Sequence, residues 1–134
     1  MNAQDIRWEQ RYRQFSRAFS LLQDAMAVDS PSVLERAGMI QFFEMAFELA
    51  WKLLKDYLEA EGYDVKTPRE AIKQAFQIGL IPQGHEWMAA LSDRNLTTHT
   101  YNERTAQAVE KKIRDSYYPL LQALQRYFSQ KVAD

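Results

Sequence analysis

The stretch from residue 40 to residue 58, IQFFEMAFELAWKLLKDYL, decides the fold. Its apolar side chains recur at steps of three and four, which is the spacing of an α-helix rather than of a strand. Two apolar stripes run along it, one of Ile40, Phe43, Phe47, Trp51, Leu54 and Leu58, the other of Met39, Phe42, Ala46, Leu49, Leu53 and Tyr57. A helix that is apolar on this much of its circumference is central in a domain or shared with another subunit.

Helical spacing on both sides of this stretch predicts four further helices. The first carries an apolar seam of Trp8, Tyr12, Phe15, Phe19, Leu22 and Met26. The five predicted helices span about residues 4–27, 31–60, 68–78, 84–93, and from between 96 and 103 to about 130. Three long and two short helices with brief connections favour an up-and-down bundle. We therefore expect an all-α protein that forms a single domain over residues 1–134.

Short local signals indicate where the helices begin and bend. We expect Ser30 to cap the central helix with Pro31 in its first position, and Thr67 to cap the third helix. Residues 100–103 have the spacing of a capping box at the start of the last helix. Pro119 lies inside that helix and has no N–H to donate, so we expect a kink one turn before it.

Composition excludes several classes of protein. The chain has no cysteine, which excludes a disulfide scaffold, a thiolate zinc site and a cysteine nucleophile, and fits a reducing cytoplasm. Its 17 basic and 18 acidic residues give a net charge of −1. Proteins that coat nucleic acid are strongly basic, so any contact with nucleic acid must be local. Neither a signal peptide nor a membrane span is visible, and we expect a cytoplasmic protein.

Side chains that bind metals are sparse. The two histidines, His85 and His99, belong to no H-E-x-x-H or E-x-x-H pair. Glu44 and Glu48 lie one helical turn apart and have the chemistry to ligate a metal, but such a pair is more often an ordinary polar face of a helix. There is also no glycine-rich phosphate loop. We therefore expect neither a metal nor a cofactor.

The octapeptide RNLTTHTY, from Arg94 to Tyr101, is the most chemically suggestive segment. A permanently charged guanidinium, the His99 imidazole and a phenol lie at a break between helices, where side chains can converge on a ligand. The alternative is purely structural. In that interpretation Arg94 pairs with an acidic neighbour, His99 makes a loop hydrogen bond, and Tyr101 packs on the bundle.

This segment resembles the R-x4-H-x-Y motif of the HEPN superfamily, and Asn95 directly after the arginine also fits the motif. The chain is similar in particular to the family of nucleotidyltransferase substrate-binding proteins. The similarity extends over most of the chain. It includes the aromatic first helix, the FEMAFELAWK stretch from Phe43 to Lys52, and the TPRE start of the third helix at residues 67–70.

The resemblance implies a HEPN-like helical bundle and a metal-independent endoribonuclease that acts as the toxin of a toxin–antitoxin pair. It implies that Arg94 and His99 are catalytic and that Asn95 supports the site. The implied partner is a minimal nucleotidyltransferase, the antitoxin, which transfers AMP from ATP to Tyr101 and so silences the nuclease.

A metal-independent cleavage of RNA uses the ribose 2′-OH as nucleophile and needs a base, an acid and a cation. One subunit offers a single motif histidine. A twofold homodimer would place two copies of His99 and Arg94 around one phosphate, so we expect a dimer with a shared site. Arg7, Arg11 and Arg104 are candidate contacts for RNA phosphates, with a solvated face of paired charges as the alternative.

Two other interpretations of the chain stay open. In one, the protein is a non-catalytic nucleotide-binding or substrate-binding subunit of a nucleotidyltransferase, and Arg94 and His99 bind a phosphate without cleaving RNA. In the other, it is a helical interaction module whose loop chemistry is accidental. If expression of the protein arrests growth and His99→Ala relieves the arrest, the ribonuclease toxin would be favoured over both of these interpretations.

Overall fold

The computed structural model describes residues 2–94 and 101–133, and all regular elements in these two ranges are helical. The helices are α1 (Ala3–Met26), α2 (Val33–Ala60), α3 (Pro68–Gln77), α4 (Gly84–Asp93), α5 (Glu103–Lys112) and α6 (Tyr118–Ala133). A π-helical segment, Ile113–Tyr117, joins α5 to α6 without a break. Counted with that segment, α5 and α6 form one long helix, so the predicted bundle of three long and two short helices is confirmed.

Helix α2 is the centre of the bundle, as its two apolar stripes predict. It packs along α1 on one side and against α3, α5 and α6 on the others. Phe43, Phe47 and Leu54 are almost completely buried. A cluster of aromatic rings connects the elements, because Trp8 and Tyr57 both pack on Phe128 of α6, with ring centroids 5.6 and 5.2 Å apart.

Two of the predicted helix starts are wrong in detail. Ser32, and not Ser30, caps α2, since its side chain accepts from the backbone N–H of Glu35 while the Glu35 carboxylate accepts from the backbone N–H of Ser32. The reciprocal pair satisfies two donors at once, which a cap at Ser30 could not do. At α5 the cap is Asn102, whose side chain accepts from the backbone N–H groups of the second and third residues after it. Thr100 lies outside the described residues.

The last helix adjusts to Pro119 in a specific way. One turn before the proline, where a kink is expected, lies the π-helical segment, in which the backbone N–H of Tyr118 bonds to the carbonyl of Ile113, five residues back. The inner faces of α5 and α6 both remain buried, including Val109, Ile113 and Leu124. No helix within the described residues is long and apolar enough to cross a membrane.

Candidate functional site

Arg94 follows directly after the last residue of α4 and lies at the surface between α4 and α2. Its guanidinium nitrogen Nη1 is 3.2 Å from Oε2 of Glu48, which comes from the middle of α2. The arginine side chain is 30% exposed and the glutamate side chain is 44% exposed. The ion pair is therefore open to water and fixes the position of Arg94 without enclosing it.

Glu48 is itself held by two neighbours on α2. Its Oε2 accepts a hydrogen bond from the indole Nε1 of Trp51 at 3.0 Å, and its Oε1 lies 3.4 Å from Nζ of Lys52. These residues follow Glu48 by three and four positions, the spacing that places side chains on one face of a helix. From the sequence alone, Glu48 is an ordinary polar residue of the helix face or a metal ligand. Its spacing to Trp51 and Lys52 was the available signal for the role seen here.

Asp93, the residue before Arg94, is anchored to the last helix. The hydroxyl of Tyr117, in the π-helical segment, donates to Oδ2 of Asp93, and Nζ of Lys112 is 3.1 Å from the same oxygen. Burial, together with the hydrogen bond to this carboxylate, raises the pKa of Tyr117 far above its ordinary value, so the phenol keeps its proton. The Tyr117 ring also stacks on Phe43, with centroids 5.5 Å apart. These contacts of Asp93 therefore fix the backbone directly before Arg94.

Tyr101 lies at the other end of the motif and is 88% exposed. The structural alternative in which this tyrosine packs on the bundle is therefore wrong. The alternative was right about Arg94, which pairs with an acidic neighbour, Glu48. An exposed phenol just before a helix start is accessible to a second protein, and it lies two residues after His99 in the sequence.

A network centred on Arg36 fixes the start of α5 after Tyr101. The guanidinium of Arg36, in α2, binds Glu103 and Glu110 of α5, with 2.7 Å from its Nε to Oε1 of Glu110. Glu110 also accepts from Nε of Arg114 at 2.8 Å. Partial burial alone would raise the pKa of Glu110, but the hydrogen bonds from Arg36 and Arg114 together lower it below its ordinary value. The network holds the helix after the motif firmly against α2.

The two remaining motif positions, Asn95 and His99, lie outside the described residues. Their predicted roles stay predictions. The described part of the site is thus its two ends. Arg94, directly after α4, pairs with Glu48 of α2, and Glu103, two residues after Tyr101, pairs with Arg36 of α2.

The predicted phosphate contacts on α1 and α5 have different surroundings. Arg11 donates from Nε to Oδ2 of Asp56 at 2.9 Å, and Asp56 is a buried acid of α2, 5% exposed. Arg7 is more exposed and lies 3.9 Å from Glu59. Arg104 is exposed in the first turn of α5. Arg11 is thus engaged in holding α1 to α2, and whether any of the three arginines contacts RNA stays a prediction.

Arg94 forms the boundary between two surface clefts of opposite character. On the α2 side, Arg94 and Trp51 line a cleft with two carboxylates, Glu44 and Glu48, which we call the acidic cleft. On the other side, Arg94 lines a cleft that leads past Ser92 to the start of α3 and contains no acidic side chain. Among residues 2–94 and 101–133, no three histidine, aspartate or glutamate side chains are grouped so as to hold a metal ion.

The chain is similar to known proteins in sequence and in fold. The sequence model of the family described as "Nucleotidyltransferase substrate binding protein like" matches residues 10–130. A protein of Haemophilus influenzae named "Probable ribonuclease HepT" is 32% identical over 93 residues, which span 63% of this chain and 64% of that relative. The crystal structure of a protein from Thermus thermophilus superposes with a TM-score of 0.77 at 34% identity, covering 82% of this chain and 94% of the other. The chain belongs to the nucleotidyltransferase substrate-binding protein family, within the HEPN superfamily.

Proposed function

We propose that this protein is a metal-independent endoribonuclease, the toxin of a toxin–antitoxin pair, with Arg94 and His99 as its catalytic residues. The proposal is best supported by the surroundings of Arg94 and Tyr101, the first and last residues of the motif. Arg94 is held at an open cleft by Glu48, and Tyr101 presents an exposed phenol. One relative has a name that describes a probable ribonuclease, and it aligns over 64% of its own length.

The proposed reaction is attack of a ribose 2′-OH on the adjacent phosphorus. The 2′-oxygen forms a bond to phosphorus and loses its proton to a base, while the bond to the 5′-oxygen breaks and that oxygen gains a proton. The products are a 2′,3′-cyclic phosphate and a 5′-hydroxyl. A histidine near neutral pH can serve as the acid or the base. The guanidinium of Arg94 stabilises the negative charge that develops on the phosphoryl oxygens.

The reaction needs both an acid and a base, whereas one chain supplies a single motif histidine. We propose that a twofold homodimer brings two copies of His99 and Arg94 to one phosphate. A monomer that cleaves RNA with full dependence on His99 would contradict this part of the proposal. Sedimentation of the active protein tests the dimer. Mixing of Arg94→Ala and His99→Ala chains tests the shared site, because a mixed dimer would again hold one His99 and one Arg94 at the same phosphate, whereas each variant alone lacks one of these side chains altogether.

We further propose that a partner nucleotidyltransferase transfers AMP from ATP to the phenol oxygen of Tyr101 and releases pyrophosphate. The exposure of Tyr101 supports this step, since the hydroxyl is accessible to another protein's active site. The added phosphate is negatively charged and close in sequence to Arg94, so it would compete with RNA for the same cation. Protein co-expressed with the partner that shows no nucleotide mass on Tyr101 would contradict this step.

The decisive experiment incubates the chain, made without any nucleotidyltransferase, with tRNA and mRNA in excess EDTA. Cleavage by the wild type is expected, and Arg94→Ala and His99→Ala should each reduce the rate by about 10²- to 10³-fold. Arg13→Ala, which removes an exposed arginine from α1, is the matched control. Mass spectrometry must first establish that Tyr101 carries no modification.

The second candidate is a non-catalytic subunit that binds a nucleotide or substrate for a nucleotidyltransferase. The description of the matching family favours it. The same experiment separates the two functions. Absence of cleavage by unmodified wild-type protein, together with Arg94-dependent binding of ATP or AMP, would support the subunit and contradict the ribonuclease.

A further inference from the structure

A third cleft lies between α3 and α4. Its apolar lining side chains are Ile72, Phe76 and Met88. Its lining also includes Arg69, Lys73 and His85, and none of the lining residues is acidic. We call it the basic cleft. Its volume of about 380 Å³ falls within the range of about 300–1,000 Å³ that is typical of small-ligand pockets.

The basic cleft is continuous with the position of Arg94. The cleft that runs from Arg94 past Ser92 is lined at its far end by Arg69 and Met88, and the same two residues line the basic cleft. A surface path therefore leads from Arg94 over Arg69 to Lys73. No acidic side chain lines this path, whereas Glu44 and Glu48 line the other side of Arg94.

Arg69 and Lys73, the two cations of α3 on this path, are available for an anionic ligand. Within the described residues, the side chains of Arg69 and Lys73 form no ion pair and no hydrogen bond. They lie on successive turns of α3, four residues apart, and both are exposed. Two unneutralised cations one turn apart suit the successive phosphates of a nucleic-acid strand, because each can replace a condensed counterion.

Phe76 supplies an aromatic surface beside these cations. It is 48% exposed, although a phenylalanine on a domain of this kind is normally buried. Its ring rests against Gly84 at the start of α4, where a Cβ atom would lie only 2.8 Å from the Cγ of the ring. The absence of a Cβ at Gly84 therefore makes room for the ring in this position. A half-exposed aromatic ring next to cations is the arrangement that stacks on bases of single-stranded nucleic acid.

We propose that the basic cleft is a second RNA subsite, in which an unpaired base stacks on Phe76 and its flanking phosphates bind Arg69 and Lys73. His85 lies at the rim and can donate to the base or the backbone. The subsite extends the proposed catalytic centre, so it rests on the proposed function. It binds a strand that passes Arg94, and it restricts cleavage to single-stranded segments long enough to reach from Arg94 to Phe76.

The test measures binding apart from cleavage. The probe is a fluorescein-labelled 2′-O-methyl RNA of about 12 nucleotides, a length within the range of single-strand binding sites, and it lacks the 2′-OH nucleophile. Fluorescence anisotropy gives its dissociation constant at several salt concentrations. Phe76→Ala should raise the constant about fivefold or more, and Phe76→Tyr, which keeps an aromatic ring, should retain the wild-type value.

A matched pair of glycine variants tests the same ring without removing it. Gly84→Ala should displace Phe76 and weaken binding, because the new Cβ and the ring cannot both keep their positions. Gly38→Ala makes the same chemical change on α2 at a position where a Cβ meets nothing within 4 Å, and binding should stay unchanged. Equal effects of the two variants would overturn the proposed role of Phe76.

A matched pair of charge variants tests the cations. Arg69→Ala with Lys73→Ala should lower the slope of log affinity against log salt by about 1.4, since each single-strand phosphate contact contributes about 0.7. Arg13→Ala with Arg17→Ala removes the same charge at the same spacing from α1, a helix that packs mainly on α2 and α6. This control should leave the slope unchanged. An equal loss in both double variants would overturn the subsite, since the attraction would then depend only on net charge.

The outcome also separates the subsite from the proposed function. Wild-type cleavage with normal RNA binding by the Phe76 and Arg69 variants would retain the ribonuclease and overturn the subsite. Binding that depends on Phe76 and Arg69, in a protein that cleaves nothing, would retain the subsite and contradict the ribonuclease. If these variants bind RNA normally but lose the partner nucleotidyltransferase, the cleft belongs to a protein partner and the proposal is wrong.

Discussion

Two arginine–carboxylate pairs of this protein have similar arginines and very different acids. Arg11 and Arg94 have side chains that are 29% and 30% exposed, and each bonds to a carboxylate of α2. The partner of Arg11 is Asp56, whose side chain is 6% exposed, whereas the partner of Arg94 is Glu48, at 44%. The burial of the carboxylate therefore distinguishes the two pairs.

The different burial of the two carboxylates indicates which arginine can exchange its carboxylate partner for a phosphate. A solvent-exposed ion pair contributes only about 0–1 kcal/mol, so a phosphate can replace Glu48 at Arg94 at little cost. Removal of Arg11 from Asp56 would leave a buried charge without a partner, which costs about 3–5 kcal/mol. Arg11 thus has a role in the stability of the fold, although in the sequence it looks as suitable for RNA as Arg94 does.

The largest expected effect is that of Arg11→Ala on stability. We expect the free energy of unfolding to fall by about 3 kcal/mol, because the Asp56 carboxylate loses its counter-charge in a buried position. Urea denaturation followed by circular dichroism measures this change. RNA affinity of the folded fraction should be unaffected. A variant that is as stable as the wild type but binds RNA weakly would reverse the comparison of the two pairs.

Glu110, which pairs with Arg36 and Arg114, makes a contribution to stability that depends on pH. Its pKa is lowered below 4.5 by Arg36 and Arg114, so its stabilising contribution is complete above that pH and is lost as the pH falls through the lowered pKa. Glu110→Gln should cost about 1.5 kcal/mol at pH 7. Thermal denaturation from pH 7 to pH 3 should show the two proteins converging in acid. A constant difference across this range would contradict the assignment.

The exposed Arg94–Glu48 pair predicts a smaller effect, which is a gain in RNA affinity and not a loss of stability. Glu48→Gln should tighten the binding of a single-stranded RNA about threefold, because it removes a negative charge that competes with phosphate for Arg94. Stability should change little, since the glutamine still accepts from Trp51. Weaker binding by Glu48→Gln would show that orientation of Arg94 by the carboxylate matters more than competition. Anisotropy with the 2′-O-methyl probe measures the difference.

The smallest expected effect is that of Arg7→Ala. Arg7 lies 3.9 Å from Glu59 with a side chain that is 60% exposed, so the pair contributes at most about 0.5 kcal/mol. Both the midpoint of denaturation and RNA affinity should stay near the wild-type values. A clear loss of RNA affinity would return α1 to the RNA-binding surface that the sequence predicted.

Much of the fold follows from the sequence because burial has a simple period. The stripes of α2 and the inner face of the last helix lie in the core as predicted, including Phe47, Leu58 and Phe128. Helix starts are harder to predict, since Ser30 and Ser32 are both good caps, and only the reciprocal bond with Glu35 distinguishes them. The π-helical segment could be located through Pro119 but not named, because its geometry depends on packing.

The motif residues of the site could be predicted from the sequence, whereas the residues that hold them in position could not. Arg94 and Tyr101 stand out by residue type and spacing, whereas Glu48 and Asp93 gain their roles from contacts 46 and 24 residues away in sequence. The basic cleft was not predictable either. His85 appears in the sequence as an exposed residue at a helix start, and only the packing of α3 on α4 brings it near Lys73 and Phe76.

The π-helical segment gives the last helix one point that tolerates a change of length. A π-turn contains about one residue more than an α-turn, so loss of one residue within 113–117 would restore an α-helix and keep the flanking faces in register. The same loss within α6 would rotate the following side chains by about 100° and expose Phe128. The contacts that start from the turn itself, among them Arg114 to Glu110 and Tyr117 to Asp93, would change in the first case. Insertions and deletions at this single turn can therefore change the Tyr117–Asp93 contact beside Arg94 while the flanking helical faces stay in register.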